Sequence, residues 1–318
     1  VFKKGKVVIL IIVIISVILI GLFYKSYNKP KVVVVLKSLD TQYFEIVKSG
    51  VEQGFKDFGI NGEVVGPDKE SVEEQARILK KVYQEKPDVL IVSPISSAVI
   101  PILDRFTKKR HIPVLLMDQN NPWPNKTAYV GSDNVDLGKK AGSLLSSELH
   151  PGNKVAIIAG NLSVPVFKDR ITGAKIALKN SGMIVAAEKA GVPDDLKMVR
   201  KEVNQILIEN PNLQGFIATH DNLAYRIIKV LKEEDRVVPV IGADGIPNMV
   251  KYVEDGTISA TVAQNPFDMG HLGVETALKV IKGEHVKNIV DTGVDIIIQE
   301  NAQERLDFYK KMVRFGIN

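Results

Sequence analysis

The 318-residue chain contains no cysteine and one tryptophan, and aromatic residues make up only 6% of it. Without cysteine there is no disulfide framework and no thiol for lipid acylation, although this absence alone says nothing about compartment. The G-x-x-x-x-G-K-[ST] phosphate loop is missing, as is a G-x-G-x-x-G turn after the first strand-like run, so ATP hydrolysis and dinucleotide cofactors lack their cradle. Neither a G-x-S-x-G elbow nor an H-E-x-x-H pair occurs. The five histidines, at 111, 150, 220, 271 and 285, are scattered, and zinc would need carboxylates gathered from afar. No cofactor, no metal and no catalytic residue is therefore expected, and the chain does not read as an enzyme. A catalytic site assembled from residues distant in sequence is the alternative these absences leave open.

A basic body is lacking too. The net charge is +5, but Lys3, Lys4, Lys6, Lys25, Lys29 and Lys31 contribute +6 before the first acidic residue, which leaves about −1 (5 − 6) for the rest. The basicity flanks an apolar run instead of forming a nucleic-acid surface, and no nucleic-acid partner is expected.

That run, Val7 to Phe23, carries no charge and one polar residue, Ser16. As a helix rising about 1.5 Å per residue it spans roughly 26 Å, just enough to cross a bilayer. The lysines before it keep its start in the cytoplasm and send the remainder of the chain outward. It exceeds the usual length of a signal-peptide core and ends in Phe23-Tyr24-Lys25-Ser26 instead of a small-x-small cleavage site, so a retained single-pass anchor is expected over a cleaved signal. The localisation expected is the cell membrane, with the binding domain extracytoplasmic.

Beyond Lys31, compact β-branched runs alternate with helical periodicity. KVVVVL, DVLIVS, PVLLMD, KVAIIAG, GFIATH, VPVIGAD and ISATVAQ read as strands, each ending in polar residues. Tyr43 to Phe58 reads as a helix. In a second helix, Ser71 and Glu74 form a capping box, and Val72, Ala76, Leu79 and Tyr83 form the apolar stripe. The alternation predicts an α/β fold of parallel sheets covered by helices on both faces, and the length predicts two lobes.

In such sheets ligands bind beyond the carboxyl ends of the strands. The residues there are Lys37, Ser38, Ser93, Asp118, Asn161, His220, Asp221, Asp244 and Gln264, with Arg170 from the segment FKDRITGAK and Tyr43 and Phe44 after the first strand. Carboxylates accept from neighbouring hydroxyls, a guanidinium offers donors in a fixed fork, and aromatic faces suit C–H surfaces. Together they point to a sugar-like ligand. Adjacent in a helix, Tyr43 and Phe44 cannot point the same way, so one belongs to the core. Trp123, in NNPWPN, is left open as a cleft residue.

With KSLDTQYFEIVKSGVEQGF, PVLLMDQN, VGSDNVDLGKKAG, FKDRITGAK, IATHDNLA, VIGADGIPNM and AQNPFDMGHLGVETALKVIKGE in this order, the chain resembles the type I periplasmic sugar-binding proteins of the ribose- and xylose-binding kind, over about Lys31 to Asn301. The resemblance implies two Rossmann-like lobes, parallel sheets flanked by helices, joined by a three-segment hinge near Ser132, Gln264 to Asn265 and Thr292 to Gly293. It divides the chain into an anchor and linker at 1–30, one lobe at 31–132 plus 265–293, and another at 133–264 plus 294–318. It carries ligand-binding roles to Lys37, Thr41, Tyr43, Phe44, Asp118, Gln119, Arg170, His220, Asp244 and Gln264. Ribose binders have a small hydroxyl residue where Lys37 stands, asparagine where Thr41 and His220 stand, and arginine where Gln119 stands, which argues against ribose itself. The implied ligand is a monosaccharide, with a pentose such as xylose favoured. The chain also resembles membrane-anchored xylose-sensing receptors, so the expected partner is a membrane histidine kinase, the alternative being an ABC permease for sugar uptake.

Overall fold

A computed structural model describes residues 29–312. The apolar run Val7–Phe23, and with it the expected anchor, lies outside these residues. Among the described residues no helix is long and apolar enough to cross a membrane.

One lobe is built on a six-stranded parallel sheet in the order β12-β5-β4-β3-β1-β2. Its central strands, β1 (Lys31–Val35), β3 (Val89–Val92), β4 (Val114–Met117) and β5 (Ala128–Gly131), are buried almost throughout, as a sheet covered on both faces requires. The edges, β2 (Asn61–Val65) and β12 (Ile289–Asp291), are half-exposed. Helices α1 (Gln42–Phe58) and α9 (Pro266–Ile281) pack together on one side. The helices α2 (Val72–Glu85) and α3 (Ile100–Arg110) belong with the core cluster on the other.

The stripe expected on α2 is rotated. Leu79 is buried, but its companions are Gln75 and Val82, while Val72, Ala76 and Tyr83 are only partly covered. Gln75 lies in the core because its amide is fully used: Nε2 donates to the carbonyls of Leu36 at 3.3 Å and Ser93 at 2.9 Å, and Oε1 accepts from Ile95 N–H at 2.9 Å. Half of the capping box forms. Ser71 Oγ accepts from Glu74 N–H at 3.2 Å, but the Glu74 carboxylate turns to Arg77 instead of reaching back.

The other lobe carries a parallel sheet in the order β7-β6-β8-β9 and a smaller one in the order β10-β11-β13. Its strands are β6 (Lys154–Ile158), β7 (Ile184–Lys189), β8 (Leu213–Ala218), β9 (Val240–Ile241), β10 (Ala243–Asp244), β11 (Ala260–Gln264) and β13 (Val294–Ile298). The pairing of β11 with β13 is antiparallel, the exception to the all-parallel expectation. Helices α4 (Asn134–Ser147) and α5 (Pro165–Asn180) touch backbone to backbone. A Cβ at Gly138 would lie 2.1 Å from the Arg170 carbonyl oxygen, and one at Gly173 2.0 Å from that of Val135, so only glycine permits the approach. Helices α6 (Leu196–Glu209), α7 (Asp221–Glu233), α8 (Pro247–Glu254) and α10 (Gln299–Met312) complete this lobe.

The chain passes between the sheets after β5, after β11, and between β12 and β13. These passages are tied to one another: Ser132 Oγ and Thr292 Oγ1 share a hydrogen bond at 3.3 Å, and Asn265 Nδ2 donates to the Thr292 carbonyl at 3.2 Å.

Candidate functional site

The strand ends of both lobes face one cavity of about 720 Å³. The ten residues to which the resemblance carries ligand-binding roles all line it, Lys37, Thr41, Tyr43, Phe44, Asp118, Gln119, Arg170, His220, Asp244 and Gln264, and so does Asn161, whereas the strand-end residues Ser38, Ser93 and Asp221 do not.

On the first lobe, Asp118 ends β4 with φ of 64°, a backbone state that L-residues rarely adopt. Lys37 Nζ stands 3.0 Å from its Oδ2, and Ser93 Oγ donates to the same oxygen at 3.3 Å. The Tyr129 hydroxyl donates to the Asp118 carbonyl at 3.2 Å and so holds the turn. With its amide set to satisfy both ends, Gln119 accepts from Lys37 Nζ at 2.9 Å and donates to the Pro94 carbonyl at 3.0 Å. Burial pulls the pKa of Lys37 down, but the charge and hydrogen bond of Asp118, with the charges of Glu70 and Asp244, together outweigh it and hold the ammonium above its ordinary value. The same ammonium lies 5.3 Å from the Phe44 ring centroid.

Thr41 also has local work, since its hydroxyl caps α1 by accepting from Phe44 N–H at 3.4 Å. As the helix geometry requires, Phe44 joins the core while Tyr43 is half-buried, though both reach the cavity wall. Burial, reinforced by Asp118 and Asp244, pushes the Tyr43 hydroxyl well above its ordinary pKa, so it stays neutral, and it donates to Met269 Sδ at 3.8 Å.

On the second lobe, Arg170 is 5% exposed and fans across three acceptors: Nε donates to Asn134 Oδ1 at 2.9 Å, and Nη1 to the Thr219 carbonyl at 2.6 Å and to Asp244 Oδ1 at 2.9 Å. Gln264 Nε2 donates to the same Asp244 oxygen at 2.8 Å. Asp244 has φ of 131°, so Asp118 and Asp244 both sit on strained backbone. Burial would lower the Arg170 pKa, but Asp244, joined by Tyr43 and Asp118, raises it beyond its ordinary value. The site thus has two largely buried cation–carboxylate pairs, one from each lobe, and its lining includes the rings of Tyr43 and Phe44.

Several lining residues were not singled out from the sequence. Phe167 stacks on His220, ring centroids 5.0 Å apart and planes 23° from parallel. It stands three residues before Arg170 on α5, a spacing that puts both on one face and could have flagged it. Asp194, whose Oδ1 lies 2.8 Å from His220 Nε2, comes from a loop with no such signal. Burial pushes the Asp194 carboxyl up, but the hydrogen bond and charge of His220, with the charge of Arg226, together outweigh it and hold the carboxyl below its ordinary value. Glu70 and Asn222 line the cavity as well. Trp123 is not among the lining residues: it is buried in the first lobe and its Nε1 donates to Asp104 Oδ1 at 2.9 Å. Asp221 lies behind the wall and Ser38 bonds the Asp68 carbonyl at 2.8 Å.

Two α/β lobes presenting polar groups to a shared cleft define a bilobal binding protein. Residues 32–285 match the periplasmic binding protein domain family, and the chain belongs to that family. Among curated relatives, the ribose import binding protein of Haemophilus influenzae is 26% identical over 284 residues, 89% of this chain and 97% of that one. The D-allose-binding periplasmic protein of Escherichia coli is 28% identical over 282 residues, 84% of this chain and 90% of that one. Among solved structures, the glucose-galactose binding protein GanP from Geobacillus stearothermophilus superposes with a TM-score of 0.78 at 30% identity, covering 86% of this chain and 99% of that one. An ABC transporter periplasmic solute binding protein from Actinobacillus succinogenes, with bound D-allose, gives a TM-score of 0.79 at 26% identity, covering 87% and 100%. These relatives bind solutes and are not enzymes, and the chain is accordingly a binding protein.

Proposed function

We propose that the chain is an extracytoplasmic receptor that closes its lobes on one monosaccharide and hands it to an ABC permease. The observation that carries this reading is the pairing of Lys37 with Asp118 and of Arg170 with Asp244 on opposite walls of one cavity. Each carboxylate has its position fixed by a cation and keeps lone pairs for ligand hydroxyls, while Tyr43 and Phe44 offer apolar faces to a ring. The ten residues named from the sequence are proposed as ligand contacts.

A ligand touching both walls binds the closed form better than the open one. Moving from 1% to 99% closed takes about 5.5 kcal/mol of differential binding, which a few charge-assisted hydrogen bonds of about 1.5–3 kcal/mol each can supply. The lobes are proposed to divide at 31–132 plus 265–293 and 133–264 plus 294–318, with the mutually bonded passages at Ser132, Asn265 and Thr292 as the hinge.

Import replaces signalling to a histidine kinase as the preferred output, because relatives carry the names of a ribose import binding protein and an ABC transporter solute binding protein. The lysine-flanked run Val7–Phe23 supports a single-pass tether with the domain outside, and with the resemblance to xylose-sensing receptors it is what supports the kinase reading. Xylose stands beside allose, glucose and galactose as a candidate ligand.

Calorimetry and thermal shift with pentoses, hexoses and sugar acids test the reading. At least one sugar is expected to bind, and Asp118→Ala and Arg170→Ala are each expected to weaken it at least about tenfold. Unchanged affinity in both variants, or silence across the panel, refutes it. Recovery of a permease or of a kinase on purification from membranes separates the two outputs.

A further inference from the structure

The two strained carboxylates of the cleft are backed by the same device. Behind Asp118, the hydroxyl of Tyr129 donates to the residue's own carbonyl at 3.2 Å. Behind Asp244, the hydroxyl of Tyr309 donates to the carbonyl of the next residue, Gly245, at 2.8 Å. Tyr309 is fully buried, does not line the cavity, and comes from α10, which follows the last hinge passage in sequence.

The Asp244–Gly245 turn needs such support. Asp244 and Gly245 both have positive φ, 131° and 71°, and a Cβ at Gly245 would meet that of Ala263 at 2.3 Å. L-residues persist in such backbone states only where the surroundings over-determine them. From below, the buried Asp221 carboxylate accepts from Ile246 N–H at 2.8 Å. From the far side, Tyr309 accounts for the Gly245 carbonyl. The α10 segment is also tied to the passage between lobes: Arg305 Nη1 donates to Asn265 Oδ1 at 3.1 Å, and Phe308 meets Phe267 edge to face at 5.6 Å.

We propose that Tyr309 is a positioning residue of the cleft, its hydroxyl holding the turn that aims the Asp244 carboxylate at the ligand, as Tyr129 does for Asp118. The inference rests on the sugar-receptor reading above. It assigns to a helix outside the cavity a share of the affinity and of the selectivity for the hydroxyl that Asp244 reads.

The test uses the full 318-residue chain in detergent, the best-bound sugar of the panel, and its deoxy analogues. Tyr309→Phe removes one oxygen and is expected to weaken the parent sugar about three- to tenfold, the usual reach of one neutral hydrogen bond. Asp244→Asn identifies the deoxy analogue that lacks the hydroxyl read by Asp244, because wild type and that variant bind it alike. Tyr309→Phe is expected to bind this analogue like wild type as well, which a general loosening of the lobe would not produce. Equal weakening of parent and analogue, or an unchanged parent affinity in folded Tyr309→Phe, overturns the inference. Should Tyr309→Phe fail to fold, Asp221→Asn, which loosens the same turn from below, is put to the same comparison, and equal weakening there overturns the inference too. If no sugar binds the wild-type chain, the receptor reading falls and this inference with it.

Discussion

Lys37 Nζ and Asp118 Oδ2 stand 3.0 Å apart at the end of the first lobe's sheet, with side-chain exposures of 14% and 10%. A pair so withdrawn from water gains little net stability, since desolvation offsets most of its attraction, but each partner depends on the other. Lys37→Met leaves Asp118 with Ser93 Oγ as its remaining side-chain donor. Breaking a buried pair from one side costs about 3–5 kcal/mol. We expect denaturant melts of Lys37→Met to show a loss of that order, and the double variant Lys37→Met/Asp118→Asn to recover most of it, because no uncompensated charge is left. A double variant as unstable as the single one would show that packing of the lysine stem, not charge, sets the cost.

Asp221 yields a prediction with a definite sign. Burial, with repulsion from Asp244, pushes its carboxyl up to about 8, while the N–H groups of Gly245 and Ile246 and the charge of Arg170 work the other way. From α10 the Tyr309 hydroxyl reaches the same turn at the Gly245 carbonyl. An acid whose folded pKa is raised takes up its proton on folding. Its contribution to stability is therefore complete below the unfolded value of about 4 and is lost as pH rises through the folded value. Thermal melts of the wild-type chain should fall between pH 4 and about 8, with other carboxylates superimposed. Asp221→Asn, neutral throughout, should flatten that fall, and a parallel pH profile in the variant would show that Asp221 titrates elsewhere.

How much of this could be read from the sequence depends on which interactions are local. The buried runs of β1, β3, β4, β6 and β8 were legible because strands covered on both faces are apolar at nearly every position. The cavity residues were legible because parallel strands point their carboxyl ends one way, so Lys37, Asp118, His220, Asp244 and Gln264 had to gather. What escaped depends on partners distant in the chain. The polar Gln75 takes a core position on α2 because three backbone groups from other segments satisfy it. Strands β12 and β13 are mostly exposed, and Asp291 closes the one and Asp295 interrupts the other, so neither makes a continuous apolar run like those of the buried strands. Asp194 is in place only because His220, from a different strand end, meets it.

The contact of α4 with α5 links a glycine far from the ligand to the guanidinium that is proposed to hold it. A Cβ at Gly173 would lie 2.0 Å from the Val135 carbonyl oxygen and 2.7 Å from Lys139 N, and backbone cannot yield as a flexible side chain can. Gly173→Ala must therefore push the helices apart. Overpacking of this kind costs about 1–3 kcal/mol. The displacement also reaches the site, because Arg170 lies one helical turn before Gly173 and its Nε is held by Asn134 at the start of α4. A guanidinium shifted against Asn134, Thr219 and Asp244 loses the fixed fork that makes it selective. We expect Gly173→Ala to fold, to melt at lower temperature, and to bind the sugar at least about tenfold more weakly. Calorimetry alongside melting separates the two effects: lowered stability with unchanged affinity would mean that Arg170 keeps its place without the close approach of the helices.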